Sequence, residues 1–300
     1  MTSCSLFLDV PRRVRQGGYT RVFVVAFAGL LALALVPSAL DAQQPARRPD
    51  VIFVPTPMEV VDSMLAVTRV TKEDRLYDLG SGDGRIVITA AKRLGTRGIG
   101  IDIDPQRIEE SRRNADTAGV KNLVEFRQAD LFETDLRQAT VITLYLLPTL
   151  NVKLRPKLFA ELRPGTRVVS HAFNMGDWEP DRTLYAGGRT VYYWVMPAKL
   201  DGMWTLTAPG GGTTRTYELR LTQNYQRLEG TATAGGRTLA VDSARVIGDS
   251  VVFTLADTIG RASGEGQRMR FAGRLDAGAL SGTMVGGSGR WRATKRGGRQ

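Results

Sequence analysis

The chain has 300 residues, 42% of them hydrophobic, which is enough for two domains with sizeable cores. Its net charge of +11 is carried largely at the ends: Arg12, Arg13, Arg15 and Arg21 at the front, and Arg290, Arg292, Lys295, Arg296 and Arg299 at the back. Trp291 alone does not make an aromatic-interleaved basic stripe, so nucleic-acid binding is not expected; a solvated end is the plainer reading, and contact with anionic lipid the other. A single cysteine, Cys4, and a single histidine, His171, exclude a disulfide framework, a thiol nucleophile beyond the leader region, and a metal centre built on Cys or His.

Residues 1–42 read as a targeting segment. A basic stretch precedes the uncharged apolar run Val22–Val36, and small residues surround a plausible cut after Ala42. This predicts a signal peptide or, if uncut, a membrane anchor, and so an exported, periplasmic or membrane-anchored protein. Residues 43–50 form a polar linker. Thr56 to Glu59 then has the spacing of a capping box with Pro57 in the first turn, opening a helix whose apolar face is Val60, Val61, Met64 and Leu65.

The most informative stretch is Arg75-Leu-Tyr-Asp-Leu-Gly-Ser-Gly-Asp-Gly-Arg85. An apolar strand ends in Asp78, glycines follow at 80, 82 and 84, and a helical pattern starts at once. Such a turn brings backbone N–H groups and a helix start close to a ligand. A dinucleotide fingerprint needs G-x-G-x-x-G; here the third glycine comes one residue early. S-adenosylmethionine has no pyrophosphate to cradle, and its amino group and sulfonium favour a carboxylate such as Asp78. Ser81 belongs to the same loop. A second strand, Gly98–Asp102, ends in an acid placed to hydrogen-bond ribose hydroxyls. Asp104 and Pro105 then mark a helix start, and Gly119 a stop. A third strand ends at Ala129-Asp130-Leu131.

Three strands each ending in an acid, after this glycine turn, resemble the class I S-adenosylmethionine-dependent methyltransferases. That resemblance implies adenine contacts at Asp130 and Leu131 and a lid-like helix near Thr56 and Pro57. A narrower one rests on Val54-Pro-Thr-Pro57, on Asp78-Leu-Gly-Ser-Gly-Asp-Gly-Arg-Ile-Val87, and on Thr143-Leu-Tyr-Leu-Leu-Pro148. Together these look like the family of the ATP synthase c-subunit lysine methyltransferases and their bacterial relatives, over roughly residues 51–182. It implies N-methylation of a protein lysine, although bacterial members are diverse in substrate.

Ala139–Tyr145 reads as a fourth strand, with Tyr145 at its carboxyl end where a methyl acceptor must arrive. Asn151–Leu162 reads as a helix broken or delayed by Pro156. Arg167–His171 is a fifth strand, and His171 at its end is a candidate to take the proton that an attacking amine must lose. Both Tyr145 and His171 also have ordinary core readings. Arg182–Tyr185 and Thr190–Met196 form a hairpin around Gly187-Gly188, which closes an α/β Rossmann-like domain spanning 51–197.

Residues 201–296 change character. Residues 201–300 hold 19 of the 33 glycines, and alternating runs at Met203–Leu206, Tyr217–Leu221, Arg227–Ala232, Ser250–Leu255, Met269–Leu275 and Ala279–Val285 predict an all-β antiparallel barrel or sandwich. Leu228-Glu-Gly-Thr231 recurs as Leu280-Ser-Gly-Thr283. Gly210–Gly212 reads as a flexible turn and 297–300 as a basic tail. Such a module can hold a small apolar ligand, dock a partner, or cap the first domain.

The sequence therefore predicts an S-adenosylmethionine-dependent methyltransferase with a protein or small-molecule amine as acceptor. The competing reading is an envelope protein that binds a ligand or partner through its β domain, with a degenerate methyltransferase fold. An NAD-linked oxidoreductase is disfavoured by the glycine spacing.

Overall fold

The computed structural model describes residues 52–210, 213–256, 268–286 and 289–297. The targeting segment, the linker, most of the Gly210–Gly212 turn and most of the basic tail lie outside the described residues.

The first half is a seven-stranded sheet in the order β3-β2-β1-β4-β5-β7-β6. Its parallel strands are β1 (Arg75–Leu79), β2 (Arg97–Asp102), β3 (Val124–Gln128), β4 (Val141–Leu144) and β5 (Arg167–His171). The hairpin β6 (Arg182–Ala186) and β7 (Arg189–Val195) adds antiparallel strands beside β5. Helices cover both faces, so β1 and β4 read as nearly continuous buried runs rather than alternating ones. One apolar layer joins α1 (Met58–Thr68), α2 (Arg85–Leu94) and α3 (Pro105–Thr117) to the sheet through Val61, Met64, Val87 and Ile108. The other joins α4 (Pro148–Glu161) through Leu154 and Leu158 to Trp178 and Trp194. Strand order reverses between β2-β1 and β4-β5, and the carboxyl ends of the strands meet there, where ligands bind in open α/β sheets.

Local chemistry decides the helix ends, with two departures from expectation. Asp104 caps α3 as its spacing predicts, accepting a hydrogen bond from Gln106 N at 2.8 Å with Pro105 next. The capping box at Thr56–Glu59 does not form. Pro57 itself is the residue before α1, in an extended conformation, and no side chain caps the helix; Thr56 turns instead to a distant partner described below. Nor does Pro156 break its helix: α4 begins at Pro148 and runs through it. The hydrogen bond that proline removes would go to the carbonyl of Val152, a residue on the exposed side of the helix.

The second half is a closed barrel of eight antiparallel strands: β8 (Gly202–Gly210), β9 (Thr213–Asn224), β10 (Arg227–Ala234), β11 (Arg237–Ile247), β12 (Ser250–Ala256), β13 (Arg268–Asp276), β14 (Ala279–Met284) and β15 (Arg290–Lys295). The six runs expected from sequence are all strands; β11 and β15 are additions. β15, which the sequence presents as a basic end, pairs with both β14 and β8 and shuts the ring. Its arginines point out while Trp291 and Ala293 point in. Inside, the Phe253 and Phe271 rings stack with centroids 4.8 Å apart, and Trp291 meets both edge-on. An eight-stranded barrel is about wide enough for side chains to fill, and here rings do so.

The repeated Leu-x-Gly-Thr motif also finds its reason. Leu228 and Leu280 are buried in the barrel. A Cβ on Gly230 would lie 1.9 Å from the Arg220 carbonyl oxygen, and one on Gly282 2.0 Å from that of Ala272. Each glycine lets a neighbouring backbone approach closely within the wall.

Candidate active site

The strand-end acids converge. Asp78, at the tip of β1, is buried, and its Oδ1 accepts from Thr143 Oγ1 of β4 at 2.7 Å. Burial pushes its carboxyl up to about 7; the Thr143 hydrogen bond opposes this, and the negative charges of Asp102 and Asp83 reinforce it. The chain then turns, with Gly80 N and Ser81 N both donating to the Ile101 carbonyl of β2, at 2.8 and 2.9 Å. Gly82 N donates to Asp102 Oδ2 at 2.8 Å, and Asp104 N to Asp102 Oδ1 at 3.0 Å. Both Asp102 oxygens are thus oriented by neutral backbone donors, with lone pairs left for a ligand. Beyond β3, Asp130 Oδ1 accepts from Phe132 N at 2.8 Å, which fixes the loop carrying Leu131.

Asp78, Gly80, Ser81, Asp102, Asp130, Leu131, Thr56 and Tyr145 all line one cavity of about 520 Å³. Four of the sequence candidates do not line it: Gly84, Pro57, Gly82 and His171. Gly84 packs against Phe126 and Ser111, so its small size serves the approach of the loop to α3. Pro57 precedes α1. Gly82 lies directly under the Phe53 ring, where a Cβ would sit 2.1 Å from ring carbon Cε2.

Phe53 was not singled out from the sequence, nor were Arg85 and Arg107. The segment Ile52–Val54 forms part of the cavity wall. Arg107 places its guanidinium 5.0 Å from the Phe53 ring centroid. Arg85, bound to the Asp83 carboxylate, also donates to the Thr56 carbonyl at 3.0 Å, tying this segment to the glycine turn. The available signal was an apolar triplet with no helical or strand partner, placed just before a helix start.

Tyr145 also lines the cavity. Behind it, His171 is almost completely buried and does not line the cavity. The two rings are 3.9 Å apart, centroid to centroid. Thr56 Oγ1 lies 3.2 Å from His171 Nδ1, a contact spanning 115 positions, and Nε2 has no hydrogen-bond partner among the described residues. Burial, aided by the nearby positive charge of Arg189, pushes the imidazole down to about 4, so it is neutral at physiological pH.

The donor set suits a particular ligand chemistry. Ser81 Oγ is buried without a partner among the described residues, and Ser81 is on the wall. A Cβ on Gly80 would meet Leu146 at 2.8 Å, so the wall there is bare backbone. Carboxylates around such a turn fit a cation bearing hydroxyls, and fit a pyrophosphate poorly. Among the described residues no group of three or more His, Cys, Asp or Glu is placed to hold a metal ion, and no helix is long and apolar enough to cross a membrane.

Comparison with known proteins agrees with this geometry. The family model for the ANTKMT methyltransferase domain matches residues 78–182. A protein-lysine N-methyltransferase of Saccharolobus islandicus is 42% identical over 153 residues, which is 49% of this chain and 95% of that protein. The ATP synthase c-subunit lysine N-methyltransferase of Mus musculus is 35% identical over 147 residues; this chain spans 59% of its length. Among solved structures, one described as an RNA methyltransferase from Salinibacter ruber in complex with S-adenosyl-L-homocysteine is 60% identical. It covers 49% of this chain and 96% of its own, with a TM-score of 0.48.

Proposed function

This chain belongs to the protein-lysine N-methyltransferase family of S-adenosylmethionine-dependent methyltransferases, and from that premise we propose that it methylates the side-chain amine of a protein lysine. The observation that carries the reading is that acids from three neighbouring strand tips, the glycine turn and Tyr145 all face one cavity. S-adenosylmethionine supplies an electrophilic methyl group on a positively charged sulfur. Asp102, with both oxygens held by backbone N–H groups, is suited to the ribose hydroxyls. Asp130 and Leu131 are suited to the adenine, Asp78 and Ser81 to the amino-acid end, and Thr56 and Phe53 to closing the site against water.

Methyl transfer to an amine is an in-line displacement that needs positioning above all. The Tyr145 hydroxyl supports acceptance of a hydrogen bond from the incoming amine, aligning its lone pair. His171 serves behind it as a positioning residue rather than at the reacting atoms. Because burial keeps His171 neutral, it places no second positive charge beside a cationic donor and a lysine that must first lose its proton. Proton loss to water in the cavity mouth completes the step.

Calorimetric titration of the full chain with S-adenosylmethionine tests the cofactor half; absence of binding would overturn it. Transfer of tritiated methyl to poly-L-lysine, with methyl-lysine identified after hydrolysis, tests the acceptor half. Label recovered on RNA and not on protein would overturn that half alone. The envelope-binding alternative asks for a disabled cofactor turn, and the turn here keeps its hydrogen bonds to β2.

A further inference from the structure

The matched relatives cover about half of this chain, and none of what they share explains the barrel. The barrel meets the first half at its β11–β12 turn, where Gly248 lies close to Gly165 and Val195, and more extensively at its β9–β10 hairpin. Its β9–β10 hairpin ends in Tyr225-Gln226, and Tyr225 adopts φ +53°, a left-handed conformation unusual for a bulky residue and worth tracing to a cause. The two-residue turn between the paired Asn224 and Arg227 sets that conformation, and it presents the tyrosine ring to the first half. The Tyr225 ring packs between Phe159 of α4 and Trp178, with centroids 5.5 and 6.2 Å away, and the Arg155 guanidinium lies 5.2 Å over it. Its hydroxyl donates to Asp177 Oδ2 at 3.0 Å. Buried Gln226 donates to the Glu179 carbonyl at 2.6 Å, and Arg245 pairs with Asp181 at 2.6 Å.

Apart from Phe159 and Arg155 of α4, these contacts fall on the segment that follows β5, and that segment begins beside Tyr145 on the cavity wall. Arg155, which also pairs with Asp177, donates to the Met175 carbonyl at 2.7 Å. Asn151 donates to the Phe173 and Asn174 carbonyls, each at 3.2 Å. Phe173 and His171 both lie against Tyr145. A continuous set of packed and hydrogen-bonded groups therefore runs from the barrel hairpin to the ring facing the cavity.

We propose that Tyr225 is a positioning residue for methyl transfer: the barrel hairpin clamps residues 171–178 and so fixes Tyr145 against the incoming acceptor. The proposal rests on the methyltransferase reading given above. Its consequence is a barrel that braces the acceptor side from behind without lining the cavity.

The test compares Tyr225→Ala and Tyr225→Phe in the full chain. With S-adenosylhomocysteine bound, amide hydrogen exchange at residues 172–178 is expected to accelerate in Tyr225→Ala, while exchange at 79–86 and the S-adenosylmethionine dissociation constant stay unchanged. On poly-L-lysine, kcat at saturating cofactor is expected to fall ~10-fold in Tyr225→Ala, since misplacement by about an ångström is costly to an oriented reaction. Tyr225→Phe, which keeps the ring, is expected to restore most of it. Unchanged exchange at 172–178, or a wild-type kcat in a folded Tyr225→Ala chain, overturns the proposal. So does a parallel loss of cofactor binding and melting temperature with kcat preserved, the mark of a purely structural role. If the wild-type chain binds no cofactor, the methyltransferase reading fails, and exchange measured without ligand still decides whether the hairpin holds the loop.

Discussion

The two halves of the molecule use the same residue types to opposite ends. In the α/β half, glycines bare the backbone and acids gather at strand tips to leave an open cavity. In the barrel, Gly230 and Gly282 let strands close on each other, and acids sit outside in ion pairs such as Asp242–Arg268, Asp249–Arg274 and Glu218–Arg296. The barrel interior is occupied by its own aromatic rings. A packed interior lowers free energy directly through buried apolar area. A cavity walled by carboxylates, one of them pushed up to about 7, holds electrostatic stress that a cationic ligand relieves. One half is built for stability and the other for binding, and the two are joined where binding must be aimed.

The largest expected effect breaks the barrel side of this contrast. Phe253→Ala removes a ring that stacks on Phe271 and meets Trp291, and should cost about 3–5 kcal/mol of unfolding free energy, read by denaturant titration. S-adenosylmethionine affinity should survive in whatever fraction remains folded. Asp102→Ala attacks the other side. Two charge-assisted hydrogen bonds to hydroxyls are lost, so cofactor affinity should fall by about 2–4 kcal/mol, measured by calorimetry, with little change in the barrel's near-ultraviolet signal. Unchanged affinity would remove Asp102 from the ribose assignment.

A third effect is a pH dependence. Because Asp78 in the ligand-free protein holds its proton up to about pH 7, and a cationic ligand favours the carboxylate, binding below that pH must release a proton. Affinity should therefore rise with pH, about tenfold per unit at most, and level off above about 7. Asp78→Asn should flatten this rise; a wild-type profile flat from pH 5 to 8 would show that Asp78 does not face the cationic group. Smallest of all, Arg290→Ser with Arg292→Ser should shift stability by less than about 0.5 kcal/mol, as exposed positions outside any network do. A larger loss would show that the outer face of the barrel contributes more than its paired acids suggest.

Much of the α/β half was legible because its signals are local. A glycine turn between an apolar strand and a helix, and an acid at the end of each of three strands, are read within ten residues, and those acids meet Gly80 and Ser81 of the turn in one cavity. What escaped reading depends on distant partners. Thr56 and Glu59 have capping-box spacing, yet Thr56 answers to His171, which no local pattern reveals. Phe53 matters because Gly82 lies beneath it, 29 positions later in the chain. Strand β11 was missed because its alternation is interrupted: the register shifts between Asp242 and Arg245, where Ser243 takes φ +50°. Strand β15 was masked by charge, although Trp291 and Ala293 alternate with its arginines as a barrel wall requires.

The seam between β15 and β8 has a consequence for biogenesis. The ring joins residues 202–210 to residues 290–295, so translation must reach residue 295 before the last row of backbone hydrogen bonds can form. The α/β half, complete by β7, is free to fold while the ribosome is still working, but the nascent barrel leaves open edges until then. A chain cut before β15 would therefore be expected to aggregate rather than be merely shortened.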